Sequence, residues 1–566
     1  MKIKKDIFLL ILVLILAFLL RTTSLNWDQN QHLHPDERFL TMVVSDIKLP
    51  INILNYFDAN TSSLNPSNHN YDFYAYGNFP LLLTKIVATI FSQTSYNQVF
   101  LVGRILSAIF DTGIILILYL LSKLLGFKSK IRLSICFLYA LSIFPIQLSH
   151  FFTVDTFTVF FLILSIFIFL KFLKTSKFLH LIFSGIFLGI GLSCKTSIII
   201  LLPLFILFIF IKSAKFKKFI YPLFFVLFIF LAFRIFQPYA FDGILKFSSQ
   251  FLKSIFLAQN MITGQYLYPP NIQWYSTIPI IHPLINIFLF GLGPVVFILC
   301  IFGFYQIFIK NKSYKDINFL FILLSIFLFF IYQGVQLAKY MRYFYPVYPL
   351  LIIFAGVSLQ KVSPVLKKII IFLSIIFTMF FLNIYFQENS RITASKWIYQ
   401  NIKSGSVLSS EYWDDSLPLN LDNQYFNLNY KIISLPFFDS DDSLKWNQIN
   451  QSLSQIDYLI LSSNRLWRSI SNDQKDYPIT SQFYQDLFSQ KINFKLIKDF
   501  YSYPGINLPF LKKCFLIGWS GYPNSNNSFF KVDPNCVYPG IYFRDNIAEE
   551  SFTVYDHPQV FIFSRL

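Results

Sequence analysis

Apolar runs of 14 to 26 residues recur along the first two thirds of the chain; shorter, alternating runs replace them afterwards. A helix that crosses a bilayer needs about 20 mainly apolar residues. The runs Ile7–Leu20, Ile105–Leu125, Leu133–Leu148, Thr156–Leu173, Phe178–Leu192, Ser197–Ile211, Phe219–Phe236, Leu284–Ile309, Ile317–Ile331, Tyr343–Leu359 and Ile369–Phe386 approach that length. They predict a polytopic α-helical membrane protein with about eleven transmembrane helices. The first run resembles a signal-peptide core, but Arg21-Thr22-Thr23-Ser24 offers no small-residue cleavage site, so it is read as an uncleaved anchor.

After Phe386 the pattern changes. Ile392, Ala394, Trp397, Ile398 and Ile402 recur at helical spacing, and Gly405 stops the run. Val407–Leu408, Lys431–Leu435, Tyr458–Leu461, Phe494–Ile497 and Val560–Phe563 read as strands, with helices at Ser443–Gln455 and Ser481–Gln490 between them. Strand and helix alternate, which predicts a C-terminal α/β domain over 387–566. The membrane domain is then 1–386.

Composition supports the division. Hydrophobic residues make up 55% of the chain and charged ones 13%, with a mean hydropathy of +0.54. This excludes an ordinary soluble globule and a disordered chain. The net charge of +18 suggests nucleic acid only until it is located. Residues 1–386 hold 31 Lys and Arg against 11 Asp and Glu, whereas the remainder holds 16 against 18. Twenty of the lysines and arginines fall in six clusters: Lys2/Lys4/Lys5, Lys123/Lys128/Lys130/Arg132, Lys171/Lys174/Lys177, Lys212/Lys215/Lys217/Lys218, Lys310/Lys312/Lys315 and Lys361/Lys367/Lys368. Eleven alternating spans put all six on one side, as the positive-inside rule asks of the cytoplasmic face. Merging Phe178–Ile211 into one span would misplace the Lys212 cluster. The expected topology is therefore a multi-pass plasma (inner) membrane protein with its N-terminus in the cytoplasm. Outer loops are expected at 21–98 and 237–283, with Tyr266–Pro270 folded over the membrane surface, and the C-terminal domain is extracytoplasmic. Cys514 and Cys536 are candidates for a bridge in that oxidising compartment, while Cys136, Cys194 and Cys300 read as packing residues.

Against this background the acids of the apolar half stand out. His34-Pro35-Asp36-Glu37-Arg38 follows the first span. The plain alternative is a solvated loop whose acids favour the first turn of the next helix. Asp155, in His150-Phe-Phe-Thr-Val-Asp155, lies inside an apolar stretch, where an acid usually faces a cavity or a partner; capping a helix at the surface is its rival reading. Arg104, Lys195, Arg234, Lys339 and Arg342 lie outside the cytoplasmic clusters. A cationic pocket at an outer helix end suits an anionic lipid phosphate, though snorkelling accounts for any single one. In the tail, Asp414-Asp415 reads as a loop after a strand, with acceptor or sugar recognition by Trp413 and the two acids as its functional alternative, and Asp439, Asp441 and Asp442 read as a solvated turn.

The ordered set Asp36-Glu37, Gly103-Arg104, His150…Asp155, Gly191-Leu-Ser-Cys-Lys195 and Lys339…Arg342-Tyr…Pro346 resembles membrane glycosyltransferases of the GT-C fold. Relatives include the protein O-mannosyltransferases and the lipid A aminoarabinose transferases. The tail stretch Phe552-Thr-Val-Tyr-Asp556-His557-Pro558 resembles bacterial members. The resemblance implies an inverting transfer of a sugar from a polyprenyl-phosphate donor to the hydroxyl of a protein, lipid or glycan acceptor outside the membrane. Asp36 takes the family position of the base, and Glu37 and Asp155 orient the acceptor or tune it. Arg342, Lys195, Lys339 and Arg104, in that order, would bind the carrier phosphate. His34 and His150 would line the cavity wall. His34, Glu37, His150 and Asp155 could form a mixed metal site, but their spacing matches no compact motif; a divalent metal is not favoured and no cofactor is firmly expected. No glycine-rich nucleotide loop is present, so ATP-driven transport is unsupported. Two other readings are a lipid-linked sugar flippase and a membrane-anchored ligand-binding sensor. The gathering of charges at one face speaks against the first, and the number of spans against the second.

Overall fold

A computed structural model describes residues 2–71, 76–214, 216–266, 268–310, 316–421, 428–523 and 528–566, without the side chains of 2–4, 309 and 310. Leu267, Lys215, Lys312 and Lys315 of the expected loop and clusters lie outside the described residues.

All eleven expected spans are helical. Six helices among the described residues are long and apolar enough to cross a membrane: Tyr96–Leu124, Asp155–Thr175, Lys217–Phe236, Ile317–Gly334, Met341–Leu359 and one that begins at Pro364. A bent pair brings the number to seven, so the count of eleven is not reached. The shortfall has local causes. The pair Ser129–Ala140 and Ile143–Ser149 bends by 56°, because Pro145 has no N–H to continue the helix behind it. The expected run Leu284–Ile309 breaks at Gly293, whose φ of 80° suits glycine, and restarts at Pro294. The run from Ser197 opens as 3-10 helix over Thr196–Leu201 before Leu202–Lys212. Lys2–Thr22 is 21 residues long but carries Lys5, Asp6 and Arg21 at its ends.

The expected outer loops are structured. The first holds the helices Pro35–Asp46 and Asn78–Ile90, and the second holds Ser249–Thr263. A Cβ at Gly77 would sit 1.9 Å from the Ser193 carbonyl oxygen. Only glycine lets this backbone approach so closely, and its N–H donates to the Cys194 carbonyl at 2.9 Å. That contact ties the loop to the chain just before Lys195.

In the tail all five expected strands form one sheet, in the order Lys431–Leu435, Val407–Glu411, Tyr458–Leu461, Val560–Arg565, Phe494–Phe500. The first three run parallel, and Val560–Arg565 is antiparallel to both its neighbours. The helices Ser443–Leu453 and Pro478–Phe488 match the pattern, and Leu459, Leu461, Phe561 and Phe563 supply one buried face. Leu408, Ile460, Val560 and Ile562 supply the other, against Ala394 and Ile398. A second, unexpected sheet orders Gly505–Asn507, Gly540–Phe543, Cys514–Ile517 and Phe530–Asp533, and Cys514 is bridged to Cys536. Cys136, Cys194 and Cys300 are free and buried.

The last residues of the tail fasten it to the membrane helices. The Phe552 ring centroid lies 5.6 Å from that of Phe381. The Asp556 carboxylate accepts from the Gln147 amide at 3.0 Å and the Tyr385 hydroxyl at 2.8 Å. Asp556 and Asp545 flank the His557 ring. Burial opposes a charge on that ring, but the two carboxylates prevail and raise His557 to about 10.

Candidate active site

The Pro35–Asp46 helix places both acids by its local geometry. His34 Nδ1 caps it by accepting the Glu37 N–H at 3.3 Å, Pro35 occupies the first turn, and Asp36 and Glu37 follow one another. Consecutive helical residues point about 100° apart, so the two carboxylates meet different surroundings.

Glu37 points inward and is fully buried. It accepts from Arg104 Nε at 2.9 Å and from the Phe152 N–H at 2.6 Å. Arg104 also grips Asp28 at 3.0 and 3.1 Å, donates to the Leu25 carbonyl at 2.6 Å, and stacks over Trp27 and Phe100. The guanidinium has no exposure, and each of its nitrogens is already engaged. It has no donor left over for a phosphate.

Asp36 points the other way. Its side chain is 20% exposed and pairs with Arg342, and the Tyr76 hydroxyl donates to it as well. Burial alone would raise this carboxyl; the Arg342 guanidinium outweighs it and holds Asp36 at about 2. Arg342 lies in the 3-10 segment Met341–Val347, packs over Tyr340 and Tyr343, and leaves its Nε without an acceptor.

Asp155 begins its own helix and accepts from Lys195 Nζ at 2.8 Å. The Lys195 ammonium lies 4.7 Å from the Tyr343 ring centroid, and both Asp36 and Asp155 act electrostatically on Tyr343. Two acid–base pairs, Asp36–Arg342 and Asp155–Lys195, thus converge on one tyrosine.

The other candidates stand elsewhere. Lys339 is 3% exposed, and its Nζ donates to the Leu337 carbonyl at 3.0 Å. It lies in electrostatic range of His282 rather than joining the two pairs. His34 is packed between Phe151 and Tyr555, and burial pushes it down to about 4. His150 stacks on Tyr385 at 3.9 Å, with its ring nitrogens 2.8 and 2.9 Å from the carbonyl oxygens of Ile146 and Thr23. Both rings are sealed into packing. Among the described residues no three His, Cys, Asp or Glu side chains gather as metal ligands.

Asp414 and Asp415 are both held in ion pairs. Arg391 binds them at 2.9 and 3.0 Å, and Arg38 reaches Asp415 at 2.7 Å. Asp441 is likewise occupied, accepting from Lys445, Thr480 and the Ile479 N–H, whereas Asp442 caps the Ser443 helix. Sequence reasoning missed Tyr76, Tyr343 and Tyr555, since aromatic residues are everywhere in this chain. It also missed Asp111, which accepts from Arg21, Tyr139 and Tyr345 inside the membrane region. An acid in the middle of an apolar run was a readable signal.

Residues 79–240 match the family model described as dolichyl-phosphate-mannose-protein mannosyltransferase. The match contains Arg104, Asp155 and Lys195, and ends short of Asp36 and Arg342. The expected resemblance to the GT-C glycosyltransferases holds, with a polytopic helical membrane region followed by an α/β region. Solved structures in the same company are distant. The oligosaccharyltransferase of Archaeoglobus fulgidus is 12% identical over 85% of this chain and 72% of its own, with a TM-score of 0.46. ArnT from Cupriavidus metallidurans, solved with undecaprenyl phosphate, is 12% identical over 69% and 71%, with a TM-score of 0.41. The Pmt1-Pmt2 complex of S. cerevisiae, solved with its sugar donor, is 14% identical over 48% and 36%, with a TM-score of 0.31. No curated protein matches the chain.

Proposed function

We propose that the protein is an inverting glycosyltransferase, moving a sugar from a polyprenyl-phosphate carrier to an acceptor hydroxyl at the outer membrane face. The observation that carries this reading is the convergence of Asp36–Arg342 and Asp155–Lys195 on Tyr343. The mannosyltransferase match over 79–240 supports a lipid-phosphate donor. The division into a membrane domain, 1–386, and an extracytoplasmic α/β domain, 387–566, belongs to the same proposal, as does a cytoplasmic N-terminus.

A carboxylate held at about 2 is a poor base for a hydroxyl. The ion pair offers a remedy. A carrier phosphate competes with Asp36 for Arg342, whose Nε is free to donate, and with Asp155 for Lys195. Asp36 then loses its main stabilising charge while remaining largely buried, so its proton affinity rises. It accepts the proton of the acceptor hydroxyl as that oxygen bonds to the anomeric carbon. The bond from that carbon to the phosphate oxygen breaks, and the electron pair leaves with the phosphate, whose growing charge Arg342 and Lys195 stabilise. Arg104 and Glu37 support the site by fixing the helix that carries Asp36. The flippase and sensor readings require no such base.

Purified protein incubated with a panel of polyprenyl-phosphate sugars and acceptors tests the reading through released carrier. Asp36→Asn is expected to keep carrier binding and lower turnover at least a hundredfold, as removal of a general base does. Undiminished turnover in Asp36→Asn would overturn it.

A further inference from the structure

A cavity of about 280 Å³ lies away from Asp36, between residues Gln273–Phe290, where the second expected outer loop meets the following span, the Arg465–Ser471 helix and the segment Ile547–Glu550. Its volume sits near the lower end of the range for small-molecule sites. Amide and hydroxyl side chains share its lining with apolar and ionisable ones. Asn286 Oδ1 accepts the Glu549 N–H at 3.0 Å, and Gln273 holds Glu550 through two hydrogen bonds of 3.0 and 3.1 Å.

Glu549 is the odd member. It is 2% exposed, and its Oε1 accepts from the Met341 N–H at 3.1 Å and from the Ser551 hydroxyl. Its Oε2 is buried and has no donor. A buried carboxylate oxygen left unpaired is costly, and Glu549 is one of the residues that line the cavity. The ionic groups nearby are spoken for. Arg465 pairs with Glu550 at 2.6 Å, and Arg468 donates to the carbonyls of Asn546, Ile547 and Ala548. Burial pushes Glu549 up to about 7 and His282 down to about 4. What the cavity offers is many hydrogen-bonding partners of both kinds, with Leu289 and Phe290 as apolar surface. That combination suits a neutral ring bearing several hydroxyls.

We propose that this cavity binds a saccharide unit of the acceptor, with Glu549 accepting from one of its hydroxyls. The proposal rests on the glycosyltransferase reading. Glu550 forms the wall towards the reactive cluster, since its carboxylate lies in electrostatic range of Arg342.

The test uses the full chain in lipid nanodiscs and calorimetric titration with methyl pyranosides, methyl furanosides and N-acetylated pyranosides. At least one is expected to bind. Glu549→Gln should weaken that binding about tenfold, and Asn472→Trp, which fills the cavity from its rim, should abolish it. Gel filtration and circular dichroism confirm that both variants remain folded, and Glu549→Gln keeps the test valid if the tryptophan variant misfolds. Saccharide binding should persist in Asp36→Asn and Arg342→Ala. The proposal is overturned if no saccharide binds, if neither variant changes the binding, or if simple amines or inorganic phosphate bind in their place. Transfer without cavity binding would remove this inference alone; cavity binding without transfer would remove the catalytic reading alone.

Discussion

Replacing Arg342 by Gln removes the charge that keeps Asp36 ionised, and the consequence can be sized. Asp36 is held at about 2 against an ordinary value of 3.8. A tenfold change in proton affinity is worth about 1.4 kcal/mol, so the surroundings together, with Arg342 the main contributor against burial, favour the ionised carboxylate by about 2 kcal/mol net. The carboxyl is only 20% exposed, and burial works in the opposite direction. Without Arg342 the value should therefore rise past 3.8 rather than merely return to it. The sign for stability follows from the same numbers. A depressed folded-state value contributes stability above about 3.8, and this is lost as the pH falls towards 2. In Arg342→Gln the contribution is absent or reversed. Infrared difference spectra report the protonated carboxyl directly, with Asp36→Asn as the blank, and need neither substrate nor turnover. The wild-type band is expected to titrate near 2 and the variant band above 3.8. Adding polyprenyl phosphate to the wild-type protein should move its band upward too, because the phosphate draws Arg342 away. An unchanged band in Arg342→Gln would refute the pairing, and an unchanged band on adding polyprenyl phosphate would refute the partner exchange.

Glu37→Gln leaves Arg104 facing Asp28 with one carboxylate gone; breaking a buried pair costs about 3–5 kcal/mol, and a clear fall in thermal midpoint without rescue by carrier is expected. His557 is raised from 6.5 to about 10, so its contribution to stability is complete below pH 6.5 and fades as the pH climbs to 10. Thermal melts of wild type and His557→Asn should differ in slope over that window, and parallel curves would count against the Asp545–His557–Asp556 bridge. Impermeant labelling of single cysteines should find position 413 outside the cell and position 128 inside; position 413 labelled only after lysis would reverse the proposed orientation.

Some of this molecule is written plainly in its residue order. Apolar runs mark helices whatever surrounds them, because a backbone in lipid must satisfy its own hydrogen bonds. Several of the five main strands of the tail were equally local, since a short apolar run bounded by polar residues marks a strand buried on both faces. The second sheet, around Cys514 and Gly540, escaped because its strands are only 3 or 4 residues long and lack a clean alternation. Breaks at Pro145 and Gly293 shortened spans that composition drew as continuous.

Asp36 and Asp155 were conspicuous as acids in apolar company, a property of one position and its neighbours. Their partners were not fixed by any such property. That Arg342 pairs with Asp36 while Arg104 closes on Glu37 and Asp28 depends on which helix faces which. One helical step, about 100°, separates a half-open carboxylate from a sealed one. The cavity beside Glu549 is more remote still from the residue order, being assembled from three separate segments between Gln273 and Glu550. A sequence records which charges exist; distance and access to water set their chemistry, and both arise only when the chain has packed.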